Sequence, residues 1–481
     1  MALSADELRA KYRAERDKRL RPDGADQYIT PDGEWASLFD DPYVKPTERP
    51  GQRRDVDVVI VGAGFSGLIM GAKLRDAGID DFVIVDRAGD VGGVWYWNRY
   101  PGAMCDTAAM VYLPLLEETG TRPSMKYVPG YEIHEHAQRI ATTFGLYERF
   151  LGSTQIQSLR WAEDQDRWII TTDRGDEFHS RFVTVGTGPI ARPKLPGIPG
   201  IDQFRGTAFH TSRWNYEYTG GDRYNSPMTH LSTQRVGIIG TGATGVQVVP
   251  QVARSAGELF VFQRTPSSID VRNNHPIDPD WYDTLEPGWQ KKWLMNFTTL
   301  QTGGFTDDDL VKDGWTDISQ RIRDRVVALV TARGEYNERI QQEAYEASDD
   351  EKMEEIRARV DLEVDDPVTA AALKPWYRQL CKRPCFHDEY LSAFNADNVH
   401  LVDTDGRGVE RIDETGVWVD GTHYELDCLI YASGFEVGNE QTGDDALPIT
   451  GSDGDDFPPQ KVKALVDFAD FQQKIPQCVL E

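Results

Sequence analysis

Residues 56–61 read VDVVIV and residues 82–85 read FVIV, two nearly unbroken apolar runs of strand length. Runs of this kind, rich in valine and isoleucine, predict parallel strands covered on both faces. A second pair has the same character, RVGII at 235–239 and ELFVF at 258–262. Between the pairs, residues 159–188 alternate apolar and polar positions with DRGDE at a turn, which predicts antiparallel strands with one wet face. From about 275 to 375 the pattern changes to long, charged, helically periodic stretches such as EYNERIQQEAYEASDDEKMEEIRARVDLEV, predicting a helical insertion with solvated faces. Strand-like segments return at NVHLVDT, GVERIDETGVWV and HYELDCLIYASGF.

The predicted architecture is therefore α/β, with two Rossmann-like dinucleotide-binding domains, the first interrupted by the second. Residues 1–50 form a helical extension and a Pro-rich linker, 51–190 the first part of domain one, and 191–234 a second linker rich in proline and glycine. Residues 235–390 form domain two with its insertion, and 391–481 are expected to return to domain one.

Each apolar pair encloses a glycine fingerprint. The first is Gly62, Gly64 and Gly67, and the following strand ends at Asp86, nineteen residues past Gly67. The second is Gly240, Gly242 and Gly245, and its following strand leads into Arg264, again nineteen residues on. Glycines at this spacing allow the tight strand-to-helix turn and the approach of backbone to a pyrophosphate resting on the helix N-terminus. An acid at the second strand end accepts hydrogen bonds from a ribose 2′-hydroxyl, whereas an arginine there pairs with a 2′-phosphate. The first site thus fits FAD and the second NADP. Expected FAD contacts are Gly62, Gly64, Phe65, Ser66, Gly67, Asp86 and Arg87; expected NADP contacts are Gly240, Thr241, Gly242, Ala243, Thr244, Gly245, Gln247 and Arg264.

Composition removes other classes. A net charge of −27 over 481 residues argues against nucleic acid or an anionic membrane as partner. No apolar run approaches the ~20 residues of a membrane span, and the charged N-terminus reads as neither signal nor anchor. Five cysteines do not make a disulfide framework, and the CKRPC pair has no clustered partners for a metal, so a cytoplasmic protein without a metal site is expected. No CxxxxC follows the first fingerprint, which disfavours a disulfide reductase.

Between the two nucleotide units, Phe204, Gly206, His210 and Trp214 stand in the spacing FxGxxxHxxxW. Here the chain resembles the Baeyer–Villiger monooxygenases. A second signature of that family matches GGVWYWNRYPGAMCD, with Trp95, Tyr100, Pro101, Gly102 and Asp106 in register. Amine and sulfide monooxygenases share the Phe, Gly and His but place a smaller aromatic at the position of Trp214. Surrounding segments look most like the branch that includes cyclopentadecanone monooxygenase.

The resemblance implies that NADPH reduces FAD, that the reduced flavin captures O₂ as a C4a-peroxide, and that ketones, including large cyclic ones, become esters or lactones. It places a catalytic arginine at Arg383, with Asp106 orienting and balancing it, and Lys382 with Thr265 beside Arg264 on the 2′-phosphate. Gly93, Val94, Trp95 and Tyr112 fall at flavin-contacting positions; Trp97 is expected in the core, and His210 in a structural role that couples the domains. Two rival readings accompany this one: oxidation of nitrogen or sulfur, and a non-catalytic nucleotide-binding remnant. The remnant arises because the match deteriorates after YASGFEVG, where the tail looks truncated or divergent.

Overall fold

The computed structural model describes residues 3–29, 31, 33–188, 192–436 and 447–451. Helix α1 (Ala5–Arg19) starts where Ser4 and Glu7 form a reciprocal capping box, which satisfies amide groups that the first turn would otherwise leave unpaired. The chain then makes a short strand, Tyr28–Ile29, antiparallel to Leu195–Pro196 of the linker.

The first sheet begins with β1 (Arg53–Val61), β2 (Phe82–Val85), β3 (Phe150–Leu151), β4 (Ile156–Ala162), β5 (Arg167–Thr172) and β6 (Glu177–Val185). β1 pairs in parallel with β2 and β6, and β2 with β3, while β4, β5 and β6 form an antiparallel meander. Alternation divides the side chains of β1. Val58 and Ile60 pack with Leu68 and Ala72 of helix α2 (Phe65–Asp76), whereas Val59 and Val61 pack with Ile170 and Phe178 of the meander. Each such buried side chain contributes about 1.5–3 kcal/mol of apolar transfer, which explains why Val58–Val61 carries no polar residue.

The second sheet is wholly parallel, built from β7 (Thr207–His210), β8 (Arg235–Ile239), β9 (Glu258–Gln263), β10 (Val399–Asp403) and β11 (Cys428–Tyr431) in the order β7-β11-β8-β9-β10. Helix α3 (Ala243–Ala253) follows β8 as α2 follows β1. The insertion carries α4 (Gly314–Arg333) and α5 (Glu338–Glu363), which pack on each other.

One boundary differs from the sequence reading. The sequence pattern assigns the segment from 391 to the first domain, yet β10 and β11 pair with β9 and β8 in the second sheet. Among the described residues the chain rejoins the first sheet at β12 (Ile449–Thr450), which lies parallel to β4. The physical reason is that Cys428–Tyr431 is buried on both faces and needs a central parallel position, which the slot between β7 and β8 provides. Most of the tail that sequence reading found divergent lies outside the described residues.

Candidate active site

Both glycine turns fold alike. Gly62 and Gly240 adopt φ of 101° and 113°, a region that L side chains rarely enter. A Cβ on Gly67 would run into the Gly62 carbonyl, and one on Gly245 into the Gly240 carbonyl. Helices α2 and α3 can therefore start against their turns only with glycine at these positions.

The first turn opens on a cleft of about 930 Å³ lined by Gly62, Gly64, Phe65, Ser66, Asp86, Arg87, Gly93, Val94, Trp95 and Tyr112. Its size suits a dinucleotide-scale ligand. Asp86 accepts from the backbone N–H of Ala63 at 2.6 Å and of Ala88 at 2.8 Å, so the acid is held at the turn itself. Burial pushes its carboxyl above the usual range, and those two N–H donors oppose the shift. The indole N–H of Trp95 donates to the Tyr112 hydroxyl at 2.7 Å, and Phe65 meets the Tyr112 ring edge-on. Trp97, expected in the core, is buried and also forms part of the cleft wall.

The second turn opens on another cleft, of about 880 Å³, lined by Gly240, Thr241, Gly242, Arg264, Thr265 and Lys382. A Cβ on Gly242 would meet no protein atom within 4 Å, so this glycine leaves room inside the cleft for a ligand. The Lys382 ammonium donates to the carbonyls of Thr265 and Pro266, at 3.5 and 3.3 Å, and lies 5.5 Å from the centre of the Tyr377 ring. Burial pushes its pKa down to about 8; Cys385 opposes that shift, and the charges of Arg19 and Arg264 add to it. Ala243, Thr244, Gly245 and Gln247, expected at the cofactor, are not among the residues lining this cleft. Gln247 spends its amide within the protein: its carbonyl accepts from Met104 N–H at 2.7 Å and its NH₂ donates to the Ala243 carbonyl.

Asp106 and Arg383 meet outside the walls of both clefts. The Arg383 guanidinium donates to the two carboxylate oxygens of Asp106 at 2.8 and 2.9 Å, a bidentate pair. Asp106 is buried while the Arg383 side chain is half exposed. Burial works against the charge on Arg383, but Asp106 outweighs it and raises the pKa above its ordinary value. Asp106 caps no helix; the short helix after it, Ala109–Tyr112, has Ala108 at its N-cap. Each residue sits on pinned backbone. The segment before Asp106 is tied to Asn225 through Gly102 N–H and to α3 through Met104 N–H. The segment after Arg383 pairs Cys385–Phe386 with Ile269–Asp270.

Two neighbours were not read from the sequence. Trp315, at the start of α4, donates its indole N–H to the Asp106 carbonyl at 3.0 Å and lies 5.6 Å from the Arg383 guanidinium. Arg272 is buried, donates to the Met104 sulfur, and interacts electrostatically with Asp106. Neither stands in a motif; for Trp315 the available signal is a tryptophan within a charged insertion.

His210 is buried. Its Nδ1 accepts from Ser212 N–H at 3.1 Å and its Nε2 donates to the Gly434 carbonyl at 3.0 Å, with burial pushing its pKa down to about 3. Trp214 donates to the Thr219 hydroxyl inside the core of the second sheet. Among the described residues no cluster of His, Cys, Asp or Glu could hold a metal, and no helix is long and apolar enough to cross a membrane.

Comparison with known proteins gives a consistent picture. The family model described as pyridine nucleotide-disulphide oxidoreductase matches residues 59–353. The chain is 52% identical to neopentalenolactone D synthase of Streptomyces avermitilis over 450 residues, covering 93% of this chain and 75% of the relative. It is 48% identical to a Baeyer-Villiger monooxygenase of Streptomyces coelicolor, covering 93% and 74%. Among solved structures it resembles the polycyclic ketone monooxygenase from the thermophilic fungus Thermothelomyces thermophila, with a TM-score of 0.84, 36% identity, and coverage of 96% of this chain and 77% of that one. It also resembles OTEMO in complex with FAD and NADP, with a TM-score of 0.66, 28% identity, and coverage of 84% and 75%.

Proposed function

The chain belongs to the pyridine nucleotide-disulphide oxidoreductase family and, within that architecture, to the Baeyer–Villiger monooxygenases, and from this premise we propose how its residues divide the work. It is a flavoprotein monooxygenase that uses FAD, NADPH and O₂ to convert ketones to esters or lactones. With the first family it shares the dinucleotide turns and not a CxxxxC redox pair.

In this reading the first cleft holds FAD, with Asp86 on the ribose, and the second holds NADP, with Arg264, Thr265 and Lys382 toward the 2′-phosphate. FAD, reduced by NADPH, supplies the activated oxygen when bound. Arg383 supplies a cation that keeps its proton across the working pH range, beside the place where negative charge grows during oxygen transfer to a ketone. Asp106 fixes the plane of that guanidinium and raises its pKa, and Trp315 covers one side of the pair. A lysine would offer a point charge without the planar, two-pronged fit. The observation that carries this assignment is the bidentate pair itself, joining a segment tied to α3 with one paired to the short strand Ile269–Asp270 beyond β9.

We read the substrates as bulky or polycyclic ketones, supported by relatives named for a polycyclic ketone and for a lactone synthase. A reaction that consumes NADPH fits the cytoplasm. The test is Arg383→Ala assayed for ketone product and for NADPH consumption together. Loss of product with NADPH oxidation retained supports the assignment; an unchanged yield of product per NADPH overturns it.

A further inference from the structure

The second cleft has a wall that no dinucleotide fingerprint contains. Helix α1 carries Arg9, Arg13, Arg16 and Arg19 at steps of four, three and three, which places them along one helical face. All four line the cleft together with Gly240, Thr241 and Gly242.

The extension is fastened on three sides. Arg9 pairs with Glu346 of α5 at 2.9 Å, and Arg357 of α5 donates to the Tyr12 hydroxyl. Lys18 pairs with Asp405, just past β10, at 2.8 Å. Beyond the helix, Gln27 accepts from Arg264 through its side-chain carbonyl at 2.5 Å, and its backbone carbonyl accepts from Gly197 N–H. The wall is therefore part of the folded cleft.

Its charge is incompletely neutralised. Arg19 shares the Glu15 carboxylate with Lys11 and Lys18, and Lys18 has Asp405 besides, so three cations meet two acids. Among the described residues Arg13, Arg264 and Lys382 have no carboxylate within ion-pair distance. Arg19 and Arg264 are both near enough to Lys382 to bear on its charge. In a chain of net charge −27, such a local surplus of cations suits a ligand with several negative charges.

We propose that α1 is a third wall of the dinucleotide site, with Arg19 joining Arg264 and Lys382 around the 2′-phosphate and Arg13 adding to the positive field along the cleft. This rests on the reading of the second cleft as the NADP site. Discrimination of NADP from its unphosphorylated counterpart then depends on a segment outside both nucleotide units.

The experiment titrates NADP⁺ and NAD⁺ into the FAD-loaded protein by calorimetry. Arg19→Ala is expected to weaken NADP⁺ binding by about tenfold, the loss of one charge-assisted contact, and to leave NAD⁺ binding unchanged. Arg19→Lys restores part of the loss. Arg13 is exposed on its helix, so Arg13→Ala leaves the fold intact and is expected to weaken NADP⁺ binding by about two- to fivefold through the field alone. If both alanine variants keep the wild-type affinity for NADP⁺ while Arg264→Ala loses it, the wall has no such role and the site reading stands. Equal weakening of NADP⁺ and NAD⁺ also overturns the 2′-phosphate role. A wild-type protein with no preference for NADP⁺ over NAD⁺ overturns the site reading along with the wall.

Discussion

The guanidinium of Arg383 grips the carboxylate of Asp106 through two hydrogen bonds, across 277 residues of sequence. The acid is buried and the base half exposed, so the pair presents its positive end to the space around it. If that charge is the catalytic element, Asp106→Asn should lower kcat for ketone oxidation by about 10²–10³, the scale for losing a preorganised electrostatic group. Steady-state assays with the flavin spectrum recorded alongside check this. Retained flavin with full kcat would remove Asp106 from the mechanism.

The glycine turns can be broken separately. Gly67→Ala forces a methyl group against the Gly62 carbonyl, and Gly245→Ala does the same at Gly240. The first variant should purify with little or no flavin absorbance. The second should keep its flavin and lose NADP⁺ affinity. Absorbance after purification and a calorimetric titration distinguish the two losses.

NADP⁺ binding should be coupled to a proton at Lys382. The free lysine has a pKa of about 8 because it is buried, with the Arg19 and Arg264 charges adding to the depression. A bound phosphate dianion favours the charged form and raises that pKa. Above pH 8 the free protein has lost the proton that the complex retains. The NADP⁺ Kd should therefore rise by up to about tenfold per pH unit above pH 8, with proton uptake measurable in buffers of different ionisation enthalpy. In Lys382→Met the slope should disappear.

His210 should stabilise the fold through its neutral form. Its pKa is about 3 in the folded chain against the ordinary 6.5 of an exposed imidazole. A depressed histidine pKa means that the unfolded chain binds more protons between those values. The stability His210 contributes is therefore fully present above pH 6.5 and is lost as pH falls toward 3. The gap in urea-unfolding free energy between wild type and His210→Gln should shrink by about 1.4 kcal/mol per pH unit below 6.5.

Local pattern carried much of this architecture. Val58 to Val61 and Val236 to Ile239 declare their strands because both faces are covered, and the glycine turns follow at once with their opposite charges at Asp86 and Arg264. Asp106 and Arg383 were legible only through family spacing, since nothing local says that a KRP segment meets a residue 277 positions earlier. The return of the chain was misplaced because a parallel strand such as Cys428–Tyr431 carries no mark of its neighbours, which are set by distant elements. Trp315 and the α1 arginines were hidden for a related reason. Each lies in a charged helix whose sequence looks solvated, and only the fold turns Trp315 toward the Asp106–Arg383 pair and the arginines toward the second cleft.

The central claim is that this chain inserts one atom of O₂ beside a ketone carbonyl. The direct test incubates the FAD-loaded protein with NADPH, a polycyclic ketone and ¹⁸O₂, and measures product mass. The account predicts an ester or lactone carrying a single ¹⁸O atom in the new ring or chain position. NADPH consumption with the ketone recovered unchanged, or a product without label, would contradict it.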